Sequence, residues 1–150
     1  MRFDTPTADE LPLVYDAWAR SFRKSPWAGC VLNKDWDSVS RNTIGEILDR
    51  GARVVVAVQD LTNSDGVVDA RRVMGYSVSE PREAVLHWLY VKDTYRRLGI
   101  GRALLAETLR SFEPEVPSWE YTHRTPSSER FFRACGHHLT HNPVPARVKR

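Results

Sequence analysis

The sequence predicts a mixed α/β fold of the α+β class, in which four helices flank a mostly antiparallel sheet. Three observations support this prediction. Before residue 50, apolar residues recur at helical spacing in two segments. Three segments rich in β-branched residues then follow in close succession, which predicts an antiparallel meander. After them come a polar basic loop, a helix and another strand, an order that is typical of a βαβ unit.

Two helices are expected in the first third of the chain, after a short opening strand. Thr7 or Asp9 can cap the first helix. Its inner face is expected to hold Leu11, Tyr15, Trp18 and Phe22. A turn-rich segment at 25–29 separates it from a second helix at 35–49, which Gly51 can end. The inner face of the second helix is expected to hold Trp36, Val39, Thr43, Ile44 and Ile47.

The strands and the last two helices follow from local signals. Strands are expected at 52–58, 73–78 and 84–91, and the sequence Asn-Ser-Asp-Gly at 63–66 predicts the first turn between them. A helix at 101–111 and a strand at 118–122 complete the βαβ unit. Thr125 as cap, with Pro126 in the first helical position, predicts a last helix ending at Gly136. One more strand can follow before Pro143.

Length and composition restrict the class of protein. The chain has 150 residues, 41% of them hydrophobic and 27% charged, which predicts one globular domain over residues 1–150. The longest apolar run, 54–58, is too short to span a membrane, and no apolar leader opens the sequence. The two cysteines, Cys30 and Cys135, lie far apart, which indicates reduced thiols and a cytoplasmic location.

Positive charge is concentrated in the second half of the chain. The formal net charge is +3. Residues 1–75 carry ten Lys or Arg against eleven Asp or Glu, whereas residues 76–150 carry twelve against eight. We therefore expect the second half to bind an anion.

The segment 91–105 is the most informative part of the sequence. A buried strand ends at Val91, a basic loop leads to Gly99 and Gly101, and a helix begins at once. Backbone N–H groups at a helix N-terminus form an anion site that the helix dipole strengthens. The loop adds charged donors from Arg96, Arg97 and Arg102. The pattern predicts a site for a phosphate or pyrophosphate.

Of three other interpretations of this segment, one is excluded and two are open. A P-loop requires G-x-x-x-x-G-K-[ST], which the segment does not contain. A dinucleotide fold requires G-x-G-x-x-G/A directly after its strand; here Leu104 stands in the third glycine position, although Glu120 lies near the position expected of a ribose-binding acid. The stretch can also be an ordinary loop-to-helix junction without a ligand.

Arg96-x-x-Gly99-x-Gly101 resembles the R/Q-x-x-G-x-G/A motif of the GNAT superfamily of N-acetyltransferases. The predicted order of elements matches that family. The segment 125–137 resembles the family's N-P-x-A-x-x-L-Y-x-x-x-G-F segment, with Thr125, Phe132 and His137 in place of the usual Asn, Tyr and Phe. A looser resemblance connects the chain to small GNAT-like proteins of phage genomes. The resemblance implies a GNAT-like fold and a coenzyme A ligand.

The resemblance also implies a reaction and a set of binding residues. In the family, acetyl passes from acetyl-coenzyme A to a primary amine by direct attack in a ternary complex. The positions that match the family's cofactor site are Leu89, Tyr90, Val91, Arg96, Arg97, Leu98, Gly99, Ile100, Gly101, Arg102 and Phe132. Backbone N–H groups of the strand at 89–91 are expected to polarise the thioester oxygen.

Two catalytic side chains are expected. We predict that His87, on the strand that leads to the loop, is the base, because its usual pKa of about 6.5 suits proton transfer at neutral pH. A partly buried His87 bonded to a neighbour is an equal alternative. Other candidate bases are Glu80, Glu83, Glu120 and His123. Phe132 cannot donate the proton that the family's helix tyrosine gives to the leaving thiolate, so we predict Tyr121 in that role, with Tyr90 or water as alternatives.

Two further functions and two minor features are considered. The basic second half allows a nucleic-acid-modifying enzyme on the same fold, and Phe132 allows a module that binds coenzyme A without catalysis. The histidines at 137, 138 and 141 lack the residues of a typical metal site, so no metal is expected. Trp27 is expected to pack in a loop or to stack on a substrate. No membrane partner is expected, and the chain is expected to be a monomer or a homodimer.

Overall fold

The computed structural model describes residues 1–23, 32, 34–111 and 118–143. The expectations for Trp27 and for the thiol of Cys30 lie outside the described residues. The described elements are β1 (Arg2–Asp4), α1 (Leu11–Arg23), α2 (Trp36–Asp49), β2 (Arg53–Thr62), β3 (Val68–Glu80), β4 (Val85–Val91), α3 (Ile100–Arg110), β5 (Trp119–Tyr121), α4 (Pro126–Cys135) and β6 (Leu139–His141).

The six strands form one mixed sheet in the order β1-β2-β3-β4-β5-β6. The first four are antiparallel neighbours, whereas β4, β5 and β6 pair in parallel. This arrangement confirms the predicted mostly antiparallel sheet with four helices and a βαβ unit. Within the described part of the chain, no helix is long and apolar enough to cross a membrane.

The β2–β3 hairpin is longer than the sequence predicted. Pairing continues outward to Thr62 and Val68, and the turn at 63–66 joins the strands at the predicted position. Most of these outer residues are polar or exposed, so apolar periodicity gave no signal for them. Hydrogen bonds between the strands, rather than burial, extend the hairpin.

The predicted inner face of α2 needs one correction. Val39 is 42% exposed and Thr43 is exposed as well, whereas Ser40 is buried. The Ser40 hydroxyl donates a hydrogen bond of 2.6 Å to the carbonyl oxygen of Trp36, which satisfies this polar group inside the protein. The buried face therefore follows the spacing 36, 40, 44 and 47, which a search for apolar residues alone does not find.

Helices cover both faces of the sheet, and each face has its own apolar core. On one face, α1 and α2 pack through Val14, Trp18, Ile44 and Ile47. On the other face, α3 and α4 pack through Leu104, Leu105, Leu109 and Phe132. Because β2 lies between the two layers, residues 54–58 are buried on both sides, which explains their continuous apolar run.

The sheet divides between β4 and β5. These strands are in register at only two positions, Val85 with Glu120 and Leu86 with Tyr121. On the other edge of β4, the register with β3 skips His87, because Val78 faces Trp88 and Ser79 faces Leu86. His87 is thus the extra residue of a β-bulge, which bends a strand and increases its twist. The bulge lies at the point where β4 and β5 separate.

Candidate active site

A groove of about 1050 Å³ opens where β4 and β5 separate. Its walls come from β4 at residues 86–91, from the loop and the first turn of α3, from α4, and from one side of α1. Ligand sites in proteins are typically concave and contain a few convergent polar groups. The groove joins the basic loop at one end to two histidines, His87 and His123, at the other.

The end of β4 presents backbone donors to this groove. Lys92 donates its N–H to the carbonyl oxygen of Met74 in β3 at 2.9 Å. Backbone groups of successive strand residues face opposite edges, so those of Val91 and Leu89 face away from β3. The carbonyl oxygen of Val91 accepts a bond of 3.1 Å from Nε of Arg96, in agreement with this orientation. Tyr90, predicted to offer its N–H as well, turns that group towards β3.

The basic loop carries two left-handed residues before α3. Asp93–Tyr95 forms one turn of 3₁₀ helix, and Arg97 and Gly99 then have φ angles of 66° and 79°. Gly99 has open space around the position of a Cβ, so its backbone conformation is what requires glycine. The N-cap residue of α3 is Gly99, which has no side chain to cap the helix, and the first N–H groups of a helix have no partner within it. These groups are donors for an anion.

Gly101 also has a packing role that the sequence did not predict. A Cβ at this position would lie 3.3 Å from the ring of Phe131 on α4 and 3.6 Å from Val91. Gly101 therefore lets the first turn of α3 pack closely on α4 and β4. Leu98, also predicted at the cofactor site, has a side chain that is 68% exposed, and Ile100 is buried in the core.

Two of the predicted phosphate-binding arginines also bind the protein itself. Arg96 bonds to Val91 and pairs with Asp93 at 2.7 Å, and its guanidinium lies 6.0 Å from the centre of the Tyr90 ring. Arg102 donates to the carbonyl oxygen of Ala134 at 3.1 Å, which ties α3 to α4. Arg97 is exposed beside Gly99, and among the described residues it has no ion-pair partner. Arg97 is thus the arginine best placed to bind an anion.

His87 lies in the bulge and is only 4% exposed. Its Nε2 is 3.2 Å from Oε1 of Glu80, and its Nδ1 is 3.3 Å from the hydroxyl of Thr122. Arg50 donates two hydrogen bonds, of 3.1 and 2.7 Å, to the same Glu80 oxygen. Burial lowers the pKa of His87, although the nearby Glu80 opposes this shift. The bulge also interrupts the two-residue alternation of side chains along β4 between His87 and Leu89.

Thr122 connects His87 to a second histidine. The Thr122 hydroxyl lies 2.6 Å from Nδ1 of His123. The His123 ring packs edge-on against Phe22, Trp88 and Trp18, with centroid distances of 4.5, 5.1 and 5.9 Å. Burial lowers the pKa of His123 to about 4, and the neighbouring His87 adds to the shift. Sequence analysis predicted His123 only as an alternative base, because the residues next to it in the sequence do not indicate its aromatic and His87 neighbours.

Tyr121 and Phe132 lie together on the α4 side of the groove. Their ring centres are 4.9 Å apart, and both side chains are largely buried. Burial raises the pKa of Tyr121, so its phenol is protonated at neutral pH. The predicted cap of α4 is confirmed, because Thr125 Oγ1 accepts the N–H of Ser128 at 3.0 Å while Ser128 Oγ accepts the N–H of Thr125.

The tail histidines lie against aromatic rings. His137 packs on Trp119 and His141 packs on Tyr121, with centroid distances of 5.6 and 5.2 Å. Among the described residues, no group of three or more His, Cys, Asp or Glu could hold a metal ion. Cys135 is half-buried and lines the groove.

Residues 50–138 match the model of a protein family described as an acetyltransferase (GNAT) domain. The chain belongs to the GNAT family. The match covers β2 to α4 and thus includes the bulge, the basic loop and most of the lining of the groove, whose wall from α1 lies outside the matched residues. No curated protein sequence matches the chain at a significant level.

Solved structures with TM-scores above 0.5 share the fold of this GNAT chain. A mutant protein from Bacillus halodurans has a TM-score of 0.63 at 13% identity, over 99% of this chain and 100% of that one. A proposed acetyltransferase from Pyrococcus furiosus has a TM-score of 0.55 at 13% identity, over 99% and 98%. A ribosomal-protein-alanine N-acetyltransferase from Brucella melitensis has a TM-score of 0.45 at 20% identity, over 73% of this chain. The present chain spans 65% of that enzyme's length.

Proposed function

We propose that this GNAT protein is an acyl-coenzyme A-dependent N-acyltransferase that transfers acetyl to a primary amine. One observation carries the proposal: a single groove joins the N-terminus of α3, whose N-cap residue is a glycine, to the cluster of His87 and His123. The first feature suits a pyrophosphate, and the second suits removal of a proton from an amine.

Acetyl-coenzyme A is the cosubstrate, and the residues at the loop end of the groove fit its pyrophosphate. The donors there are the N–H groups of the first turn of α3, from Ile100 to Arg102, and the guanidinium of Arg97. Arg96 and Arg102 hold the loop in shape through their bonds to Val91 and Ala134. Phe131 and Phe132 supply apolar wall beside them. Bound there, the cosubstrate supplies an activated acetyl group.

Backbone donors of β4 act on the carbonyl of the bound thioester. In the bulged strand, the N–H groups of Leu89 and Val91 face the groove, where they can donate to the oxygen as negative charge develops on it. Donors fixed in position before the reaction stabilise such charge without reorganisation. Tyr121 donates a proton to the leaving thiolate, because its phenol is protonated and lines the same groove.

The amine proton passes to the cluster that contains His87. Both ring nitrogens of His87 have protein partners, so the substrate amine does not contact His87 directly, and another member of the cluster accepts the proton. On the side of His87 away from Thr122, the cluster ends at Glu80, which Arg50 holds in place with two hydrogen bonds. Within this proposal, one domain over residues 1–150, a cytoplasmic location and a monomer or homodimer stay predictions from the sequence.

Thermal unfolding with candidate ligands tests the proposed cosubstrate. A ligand present at 100 times its Kd adds about 2.7 kcal/mol of stability, which corresponds to a Tm increase of roughly 5–10 °C for a chain of this size. We expect this increase with coenzyme A and acetyl-coenzyme A, and no increase with NAD. A Tm increase with NAD alone would refute the proposal.

A pair of arginine variants locates the site, and thiol release tests the reaction. Arg97→Ala should weaken coenzyme A binding about tenfold, since it removes a charge beside the helix N-terminus. Arg110→Ala is the matched control, because Arg110 is exposed at the opposite end of α3. Release of coenzyme A thiol should depend on an added primary amine, taken from a panel of amino acids, polyamines and amino sugars. Tight binding without thiol release for any amine would favour a non-catalytic module.

A further inference from the structure

A continuous chain of polar side chains runs from the end of α2 to the groove. Arg50 binds Glu80, Glu80 meets His87 at 3.2 Å, His87 meets Thr122 at 3.3 Å, and Thr122 meets His123 at 2.6 Å. Four separate segments of the chain contribute these residues. His123, the last member, lines the groove.

The Glu80 carboxylate, which Arg50 holds in place, sets the direction of every hydrogen bond from Glu80 to His123. Glu80 accepts two N–H groups from Arg50, and an ionised carboxylate can only accept. His87 must therefore carry its proton on Nε2 and donate it to Glu80. Because burial keeps His87 neutral, its Nδ1 has a lone pair that faces the hydroxyl of Thr122.

The same argument continues to His123. The Thr122 hydroxyl has one proton, which it directs to His87, towards either Nδ1 at 3.3 Å or the carbonyl oxygen at 3.4 Å. Its oxygen is then an acceptor for the 2.6 Å contact, so Nδ1 of His123 must carry a proton. The opposite direction, with the Thr122 hydroxyl donating to Nδ1 of His123, would leave the lone pair on Nδ1 of His87 without a donor. A neutral His123 with a proton on Nδ1 has its lone pair on Nε2.

We propose that His123 is the catalytic base that contacts the amine, and that Thr122 and His87 are positioning residues that fix its tautomer. This proposal rests on the acyltransferase function proposed above. The amine nitrogen forms the new C–N bond and gives its N–H proton to Nε2 of His123. The C–S bond breaks, and its electron pair leaves on the thiolate sulfur, which Tyr121 protonates. Solvent takes the proton from His123 and returns one to Tyr121 after the products leave.

Position and accessibility favour His123 over His87 for contact with the amine. His87 uses both ring nitrogens, whereas Nε2 of His123 has no hydrogen-bond partner in the part of the chain that the structure describes. The aromatic rings of Trp18, Phe22 and Trp88 hold the imidazole from α1 and β4. Burial among these rings also keeps the His123 imidazole neutral at pH 7, so the imidazole can accept a proton. As the C–N bond forms, the nitrogen becomes positive and its proton acidic enough for a weak base.

The tautomers of the histidines can be measured without an acceptor substrate. Long-range ¹H–¹⁵N spectra of the full chain labelled with ¹⁵N-histidine distinguish a protonated from an unprotonated ring nitrogen. We expect His123 to carry its proton on Nδ1 and His87 on Nε2 at pH 7. A proton on Nε2 of His123 would overturn the proposal, and it would leave the coenzyme A-induced Tm increase unaffected.

A matched pair at Thr122 tests the positioning role. Thr122→Val keeps the shape of the side chain but removes the hydroxyl, whereas Thr122→Ser keeps the hydroxyl. We expect Thr122→Val to return His123 to a mixture of tautomers and to lower kcat about tenfold, and Thr122→Ser to restore the Nδ1–H form. Equal spectra and equal kcat for the two variants would overturn the positioning role.

Replacement of the base itself gives the kinetic test. His123→Gln should lower kcat by roughly 10²- to 10⁴-fold with the best amine of the panel, and the Tm increase with coenzyme A should be retained. Unchanged kcat would overturn the proposal for His123. Loss of the Tm increase in the unaltered protein would instead refute the acyltransferase function.

Discussion

The buried His123 should make the stability of the protein depend on pH between 7 and 5. Its pKa in the folded state is about 4, below the ordinary value of 6.5 that applies when the chain is unfolded. In this range the unfolded state binds more protons than the folded state, and stability therefore falls as the pH falls. Burial among aromatic rings is the cause, because the surroundings cannot solvate a charged imidazole.

The two pKa values give the size of the effect. From the fraction of unfolded chains protonated at each pH, the free energy of unfolding should drop by about 2 kcal/mol between pH 7 and pH 5 through His123 alone. For a chain of this length, that loss corresponds to a decrease in Tm of roughly 4–8 °C. His87 has a pKa shifted in the same direction by burial, so it adds to the loss.

Urea unfolding of the native sequence and of His123→Phe measures this contribution. Phenylalanine keeps an aromatic ring among Phe22, Trp88 and Trp18 but cannot be protonated. The difference in unfolding free energy between the two proteins should change by about 2 kcal/mol from pH 7 to pH 5. His138→Phe, at an exposed position, is the control and should show no such change. Parallel pH curves for the native protein and His123→Phe would refute a neutral, buried His123.

Substitutions at three further positions test close packing, a buried hydrogen bond and a left-handed backbone conformation. Gly75→Ala should cost about 1–3 kcal/mol of stability in urea unfolding, because the new Cβ would lie 2.6 Å from the carbonyl oxygen of Tyr90. An unchanged midpoint of the urea transition would contradict this close approach. Thr108→Val should cost about 1–3 kcal/mol by the same measurement, since it removes the hydroxyl that lies 2.7 Å from the buried Ser77 hydroxyl. A variant more stable than the native protein would argue against a hydrogen bond between the two hydroxyls. Gly99→Ala should cost about 1 kcal/mol because of the φ angle of 79°, and Gly99→Asn should cost less; the reverse order would exclude a left-handed residue there.

The sequence predicted the elements well where burial and periodicity agree. The turn at 63–66, the cap at Thr125 and the helix end at Gly136 all lie where local chemistry placed them. The outer part of the β2–β3 hairpin and the buried Ser40 were missed, since neither gives an apolar signal. These features depend on cross-strand pairing and on one hydrogen bond, which periodicity does not record.

The candidate site was predictable only where its residues are close in the sequence. The glycines and arginines of the loop lie within a few positions of one another, so their pattern indicated an anion site. The partners of His87, Glu80 and Thr122, and the Arg50 that binds Glu80 come from three other segments, and only the folded chain brings them together. The bulge that reorients His87 is a matter of strand register, which the pattern of strand residues does not reveal.

The short pairing between β4 and β5 gives the protein two regions of unequal local stability. The β2–β3–β4 meander has long ladders of backbone hydrogen bonds, whereas β5 and β6 join the sheet through two and three residue pairs. Amide protons of β5 and β6 should therefore exchange with solvent through local opening, well before those of β2 and β3. A molecule bound in the groove touches both sides of the separation. Its binding energy would couple the two regions, and the protein would then open as one cooperative unit.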